Sequence, residues 1–294
     1  SDAIDVITEG INRVGIINSK VQKCANCGKQ GSDVTNTCNK CKTVMYCNAA
    51  CKKRHRHKHK KDCEEHLKRV AEHAAKKHDE QLFKEVEPEE CPICLLPMPK
   101  VDETLTKSCC GKRICHGCIY TMVEREGNKF ICAFCRTPAI KSDEEEIERT
   151  KKLMEVGNAE AYFLLAGYYA NGGRGIAQDE RKARELMLKA GELGCAQAYA
   201  NLGQIYRDGG GVEVDKKKAK QYLELAAMMG HTEARQCVGC IEGASGNMGR
   251  AYKHMMISAR AGYKKALDLV KIGFKQGYVT KDEYANTLRA YQSR

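Results

Sequence analysis

Residues 157–173, GNAEAYFLLAGYYANGG, set above residues 194–210, GCAQAYANLGQIYRDGG, carry the pattern that decides the fold. Ala161 falls on Ala198, Leu165 on Leu202, Tyr169 on Tyr206 and Gly172 on Gly209. The stretches that follow agree as well, DERKARELMLKAGELG (179–194) over DKKKAKQYLELAAMMG (215–230). A third, shorter copy carries Ala234, Val238, Ala251, Ala259 and Gly262. A fourth starts at Tyr263 with Ala266, Val270 and Phe274 and closes on TKDEYANTLRAYQ. Each copy reads as a helix, a Gly-rich turn and a second helix, about 32–37 residues long. Ala and Gly at fixed places let helices approach closely, while Tyr and Leu fill the gaps between them. One such pair cannot bury its apolar face alone, but four stacked pairs can.

Upstream of the repeats the composition changes. Of 18 cysteines, 15 fall between Cys24 and Cys135, and only Cys195, Cys237 and Cys240 lie beyond. They form C-x2-C pairs at Cys24/Cys27, Cys38/Cys41, Cys91/Cys94, Cys115/Cys118 and Cys132/Cys135. That spacing lets two thiolates of one tight turn reach a single tetrahedral ion at about 2.3 Å. A secreted disulfide scaffold rarely repeats such pairs, so the pattern points to zinc and to a reducing compartment, cytoplasm or nucleus. The expected fold class is therefore mainly α, with two small zinc-stabilised cross-brace modules followed by an α-solenoid of helix-turn-helix repeats.

The first cluster reads C24-x2-C27, x10, C38-x2-C41, x5, C47-x3-C51, x7, H59-x3-C63. Seven cysteines and one histidine make eight ligands for two four-coordinate ions. His59 is favoured over His55 and His57 because it alone sits four before Cys63, on one helical face. This pattern resembles the MYND zinc finger over residues 24–63. The resemblance implies interleaved ligands, with Cys24, Cys27, Cys47 and Cys51 on one ion and Cys38, Cys41, His59 and Cys63 on the other. Such fingers usually bind proline-rich peptides and carry a Gln and a Trp where this chain has Lys52 and Arg56. Without any Trp, the aromatic wall for proline rings is missing, so zinc binding is expected and proline-peptide binding is not.

The second cluster reads C91-P-I-C94, then C109-C110-G-K-R-I-C115-H-G-C118, then C132-A-F-C135-R-T-P. It resembles a RING finger over residues 91–138. The resemblance implies Cys91, Cys94, Cys115 and Cys118 on one ion, with Cys132 and Cys135 on the other. The second ligand pair departs from the family's Cys-x-His, because position 112 is Lys. Cys109 and Cys110 bring the donor count to eight; the alternatives are His116 in place of one of them, or one of the two cysteines as a bystander. With the first cluster, this gives about four zinc ions per chain. A RING ubiquitin ligase has no nucleophile of its own and works by holding a ubiquitin-charged conjugating enzyme in a reactive geometry. Ile93 and Pro138 match the positions that touch the conjugating enzyme, and Arg136 matches the basic residue that positions ubiquitin, a role suited to a planar guanidinium.

The helical pairs resemble Sel-like repeats, relatives of the tetratricopeptide class, over residues 157–292. The Gly-rich turns and the Asp179 and Asp215 helix starts carry that likeness, which implies a protein or peptide partner on the solenoid. Cys237-Val-Gly-Cys240 lies inside a repeat helix with no second pair to complete a site, so Cys237, Cys240 and Cys195 read as small packing residues.

Between the motifs the chain divides into a lead-in (1–22), the first finger (23–63), a helical connector (64–88), the second finger (89–139), a linker helix (140–156) and the repeats (157–294). Residues 62–86 contain no Gly or Pro and place Leu67, Val70, Ala71, Ala74, Ala75, Leu82 and Phe83 at helical spacing. Residues 143–154 start acidic and finish basic, matching the helix macrodipole. The net charge is +12, and Lys52 to Lys61 reads KKRHRHKHKK without one acid, a solvated helix face or a contact for nucleic acid. No run of 18 apolar residues exists to span a membrane, and the first residues lack the pattern of a secretory signal. Three functions remain open: a RING-type ligase or ligase subunit, a non-catalytic zinc-dependent adaptor, and a nucleic-acid-associated regulator.

Overall fold

The computed structural model describes residues 22–87, 89–98, 103–126 and 131–293; the lead-in expected over 1–22 lies outside them, save Gln22. The chain forms two compact units, one ending at Gln81 and the other beginning at Leu82.

In the first unit, β1 (Asn36–Thr37) pairs antiparallel with β2 (Met45–Tyr46), Asn36 opposite Tyr46 and Thr37 opposite Met45. A 34-residue helix, α1 (Ala49–Leu82), follows. The core is tiny: Val34 and Tyr46 are buried together with Cys24 and Cys51. Helix α1 begins inside the cysteine cluster and runs without interruption into the expected connector. Its expected apolar stripe differs. Leu67 and Val70 are 37% and 42% exposed, so this stretch is held by helix propensity and by i,i+4 pairs such as Lys61–Glu65, Lys68–Glu72 and Lys76–Glu80. Beyond Leu82 the backbone is irregular.

The second unit starts with another small zinc-type module. Its strands β3 (Thr104–Thr106) and β4 (Arg113–Cys115) pair antiparallel, with Leu105 opposite Ile114, and lead into α2 (His116–Glu126). Helix α3 (Asp143–Glu155) opens with four acids, capped by Ser142, whose side chain accepts from the Glu145 N–H.

Four helix pairs follow: α4 (Ala159–Asn171) with α5 (Glu180–Glu192), α6 (Ala196–Asp208) with α7 (Lys216–Met228), α8 (Thr232–Ala244) with α9 (Met248–Arg260), and α10 (Lys264–Lys275) with α11 (Lys281–Gln292). Each helix packs on the next, and the repeat register becomes a ladder of buried positions. Ala161, Ala198, Ala234 and Ala266 are buried in sequence, as are Leu165, Leu202, Val238 and Val270. Small residues are required there: a Cβ on Gly203 would stand 2.7 Å from Leu223 and 3.2 Å from the Ala219 carbonyl oxygen. Asp179 and Asp215 cap α5 and α7 by accepting main-chain N–H groups. Tyr169 and Tyr206 sit under the ammonium groups of Lys182 and Lys218 at 4.4 and 5.3 Å. Two cysteines depart from the packing expectation, Cys237 being half-buried and Cys240 exposed, whereas Cys195 is buried at the start of α6.

Candidate metal centres

The sixteen sequence-derived donors gather into four groups of four, each with its ligand atoms within 4.8 Å of one another. In the first unit these are Cys24, Cys27, Cys47 and Cys51, then Cys38, Cys41, His59 and Cys63. In the second they are Cys91, Cys94, Cys115 and Cys118, then Cys109, Cys110, Cys132 and Cys135. Sulfur–sulfur separations run from 3.6 Å (Cys27–Cys47, Cys47–Cys51) through 3.7 Å (Cys110–Cys132) and 3.8 Å (Cys38–Cys63) to 3.9 Å (Cys91–Cys118, Cys94–Cys115). A tetrahedron of sulfurs about 2.3 Å from zinc has an edge of about 3.8 Å, so the donors are spaced for that ion and too far apart for disulfides.

One main-chain frame builds the sites five times. In Cys24–Lys29 the Gly28 N–H donates to the Cys24 carbonyl at 3.0 Å and the Cys24 N–H to the Lys29 carbonyl at 2.8 Å. The same two bonds recur at Cys38 with Lys42 and Val44, at Cys91 with Leu95 and Leu96, and at Cys132 with Arg136 and Thr137. The fifth residue of each frame is left-handed: Gly28 at φ 75°, and Lys42, Leu95 and Arg136 at 59°. The fifth copy starts at Lys107, whose N–H donates to Lys112 and whose carbonyl accepts from Gly111, with Gly111 at φ 69°. Lys107 thus holds the place of the usual first cysteine. Cys110 keeps the fourth place, and Cys109, in the third, supplies the missing thiol. His116 is not among the gathered donors; it opens α2.

His59 reaches its group with Nε2 3.2 Å from Cys41 Sγ. His55 instead meets the Tyr46 hydroxyl at 3.2 Å and stacks on the His59 ring at 5.9 Å, while His57 faces water.

The thiols show why a cation belongs here. Burial raises Cys24, but N–H groups of Cys27, Cys47 and Asn26 outweigh it and bring the thiol to about 6. Its neighbour Cys47 is pushed up to about 12 by burial and by the Cys27, Cys51 and Cys24 thiols. Cys41 at about 7 against Cys63 at about 11 repeats the split, with burial opposed at Cys41 by the Thr43 hydroxyl and N–H. In the second module Cys91 and Cys135 fall to about 6 by donors that outweigh burial, while burial and neighbouring thiols push Cys118 and Cys109 up. Four such groups cannot ionise together without a countercharge, and a divalent ion supplies it.

Sequence reasoning missed the donors behind the ligands. Thr43 and Thr137 place hydroxyls 3.0 Å from Cys41 and Cys135, and Asn26 donates to Cys51 at 3.4 Å. Cys-x-Thr after a C-x2-C pair is the signal that could have found the two threonines.

The geometry and ligand order of the first cluster coincide with a known domain. Residues 24–63 match the family model of the MYND finger. Residues 159–195 and 196–231 each match the Sel1 repeat model. Beside its MYND finger, then, the chain carries Sel1 repeats. Among solved structures, a Sel1 repeat protein from Oxalobacter formigenes is 26% identical, 43% of this chain aligning with 97% of that one at a TM-score of 0.41. The c5321 protein, a protective antigen present in uropathogenic Escherichia coli strains and displaying an SLR fold, is 25% identical over 54% of this chain and 35% of that one, with a TM-score of 0.45. Helicobacter pylori cysteine rich protein B is 22% identical over 42% and 96%, with a TM-score of 0.34. Among the described residues no helix is long and apolar enough to cross a membrane.

The repeats also border a groove of about 670 Å³ beside β3. Leu105, Phe163, Leu164 and Met187 supply its apolar wall, and Arg113, Glu160 and Asn201 its polar groups.

Proposed function

We propose that this chain is a zinc-dependent protein-interaction adaptor that works as a RING-type ubiquitin ligase or ligase subunit. Its Sel1 repeats bind a protein partner, and its second zinc module receives a ubiquitin-conjugating enzyme. The observation that carries this reading is an apolar surface left in water around the Cys91 group: Ile93 is 39% exposed, Leu95 67%, Leu96 64% and Tyr120 65%. Exposed apolar side chains grouped on a metal-fixed loop mark a contact for a partner. The two ligand groups of this module alternate along the chain, which is the order of a cross-brace finger. Arg136 and Pro138 are exposed just beyond the last ligand, leaving the guanidinium free to bridge two proteins.

Such a ligase contributes no nucleophile; it shifts the charged conjugating enzyme towards its reactive arrangement. The test is ubiquitin discharge from a panel of charged conjugating enzymes. Ile93→Ala is expected to weaken docking by about 1–3 kcal/mol at unchanged zinc content. Arg136→Ala is expected to spare docking of the uncharged enzyme and slow discharge. If the wild-type chain accelerates no enzyme in the panel, the ligase reading falls and the non-catalytic adaptor stands.

A further inference from the structure

Residues 82–86, Leu-Phe-Lys-Glu-Val, begin at the fully buried last residue of α1, Leu82, and lie against the second and third helix pairs. Arg235 of α8 is 2% exposed and turns its guanidinium on main-chain carbonyls: Nη1 donates to Leu82 at 2.6 Å, and Nη2 to Lys84 at 3.3 Å and to Ala227 at 2.5 Å. The Phe83 ring lies 4.6 Å from the His254 ring, with Arg250 and Lys253 over its face at 5.1 and 5.5 Å. Glu85 accepts from Arg260 at 2.6 Å. Val86 closes on Gly230, where an added Cβ would stand 3.2 Å from it.

Two polar side chains sit on the floor of this contact at a disadvantage. Among the described residues Arg235 has no carboxylate within 4 Å, and burial lowers its pKa to about 10. His254 is fully buried, and among the described residues neither ring nitrogen has a hydrogen-bond partner. A purely structural contact is served at least as well by apolar side chains. An Arg that reads main-chain carbonyls, flanked by an aromatic slot and a cation for an acidic side chain, is the chemistry of peptide recognition. Lifting the segment also returns water to Arg235 and His254, which offsets part of the contact energy lost.

We propose that this groove is a peptide site filled in cis by residues 82–86, which enter it as the last residue of α1, a turn at Phe83 and irregular backbone. A partner segment with the same order, Phe-x-Glu-Val, takes it when the tethered copy lifts. The site shares no lining residue with the groove beside β3. Tethering gives residues 82–86 an effective concentration of order millimolar, so the resting chain is closed to the same peptide added from outside.

The experiment uses the full zinc-loaded chain and a fluorescent peptide of residues 81–87. Wild type is expected to bind it at least ~10-fold more weakly than Phe83→Ala, whose slot is vacated. Adding Arg235→Met to Phe83→Ala abolishes binding, as does removing the Phe from the peptide. Glu85→Arg, which repels Arg260 and leaves Phe83 in place, is the second opening variant. In the opened chain the His254 ring titrates nearer ~6.5, and added peptide reverses the shift. The proposal is overturned if neither variant, folded by circular dichroism, takes the peptide, or if wild type takes it as tightly. It is overturned equally if both variants unfold, since the segment would then be a fixed part of the core.

Discussion

The zinc modules and the Sel1 repeats solve the same problem in opposite ways. Among the described residues each repeats a small motif, a six- or seven-residue frame used five times in one and a helix pair used four times in the other. Among the described residues the frames bury almost nothing: Val34 and Tyr46 are the core of the first module outside its cysteines, and Ile114 that of the second. The helix pairs bury a continuous ladder from Ala161 to Val270. Order in the modules therefore resides in metal bonds, which tolerate any side chain the frame accepts. Order in the repeats resides in close packing, which tolerates few.

The largest test of that contrast is metal removal. Elemental analysis is expected to give about four zinc ions per chain, and two or fewer breaks the two-module assignment. Chelation should unfold the ligand-bearing parts of residues 24–135, because structural zinc contributes on the order of 10 kcal/mol or more to so small a core. The repeats should keep their helical circular dichroism. Loss of both signals together would show that the repeats depend on the metal.

A ligand exchange sharpens the frame argument. Cys109→Ser should lower the zinc count by about one ion. Adding Lys107→Cys should restore it, since position 107 opens the same frame as Cys24, Cys38, Cys91 and Cys132. Failure of the double variant to regain zinc would show that the fifth frame does not aim position 107 at the ion.

These two regions were not equally legible in the sequence. The repeats were, because Ala161, Ala198 and Ala234 must be small wherever helices touch, and that need leaves a periodic trace. The ligand groups were legible from spacing and donor count. The Lys107 frame was not, since it consists of main-chain bonds that impose no side chain until Gly111. Arg235 was invisible for a similar reason: it reads carbonyls, so nothing at Leu82 or Lys84 announces it. Leu67 and Val70 misled because helical spacing shows an apolar face without showing what covers it.

Packing in the repeats can be broken at one atom. Gly203→Val places a branched side chain where a single Cβ already meets Leu223 and the Ala219 carbonyl. A destabilisation of about 3 kcal/mol is expected in thermal unfolding of the repeats, with zinc content unchanged. An effect under about 1 kcal/mol would mean that α6 and α7 can slide apart.

Acid tests the same region through His254. Burial, then Arg235 and Arg250, hold its pKa at about 4, with Lys220 adding to the effect and Glu242 opposing it. The unfolded ring titrates near ~6.5, so the unfolded chain binds the extra proton between these values. Stability from this residue is present above pH ~6.5 and is lost as pH falls towards 4, by about 3 kcal/mol in all. His254→Phe should flatten that slope. An unchanged slope between pH 6.5 and 4 would assign the acid sensitivity to other groups, His231 among them, whose pKa burial also lowers.

The smallest effect lies at the left-handed residue of the zinc frames. Arg136 at φ 59° pays a steric cost of about 1 kcal/mol that Gly would not, but Gly also loses more freedom on folding, so Arg136→Gly is expected to change stability by less than about 0.5 kcal/mol. The converse substitutions separate backbone from space. A Cβ on Gly28 meets only Lys23 at 3.6 Å, an ordinary contact, so Gly28→Arg should cost about 1 kcal/mol. A Cβ on Gly111 would fall 2.2 Å from the Asn158 side chain, which accepts the Ala161 N–H at the start of α4. Gly111→Arg must therefore also displace that cap and should cost roughly 1 kcal/mol more. Equal losses at both glycines, measured by denaturant titration of zinc-loaded protein, would mean that the cap moves aside freely. Since Arg136→Gly keeps the frame and deletes the guanidinium, it also gives the ligase reading its cleanest variant: discharge should slow while zinc and stability stay put.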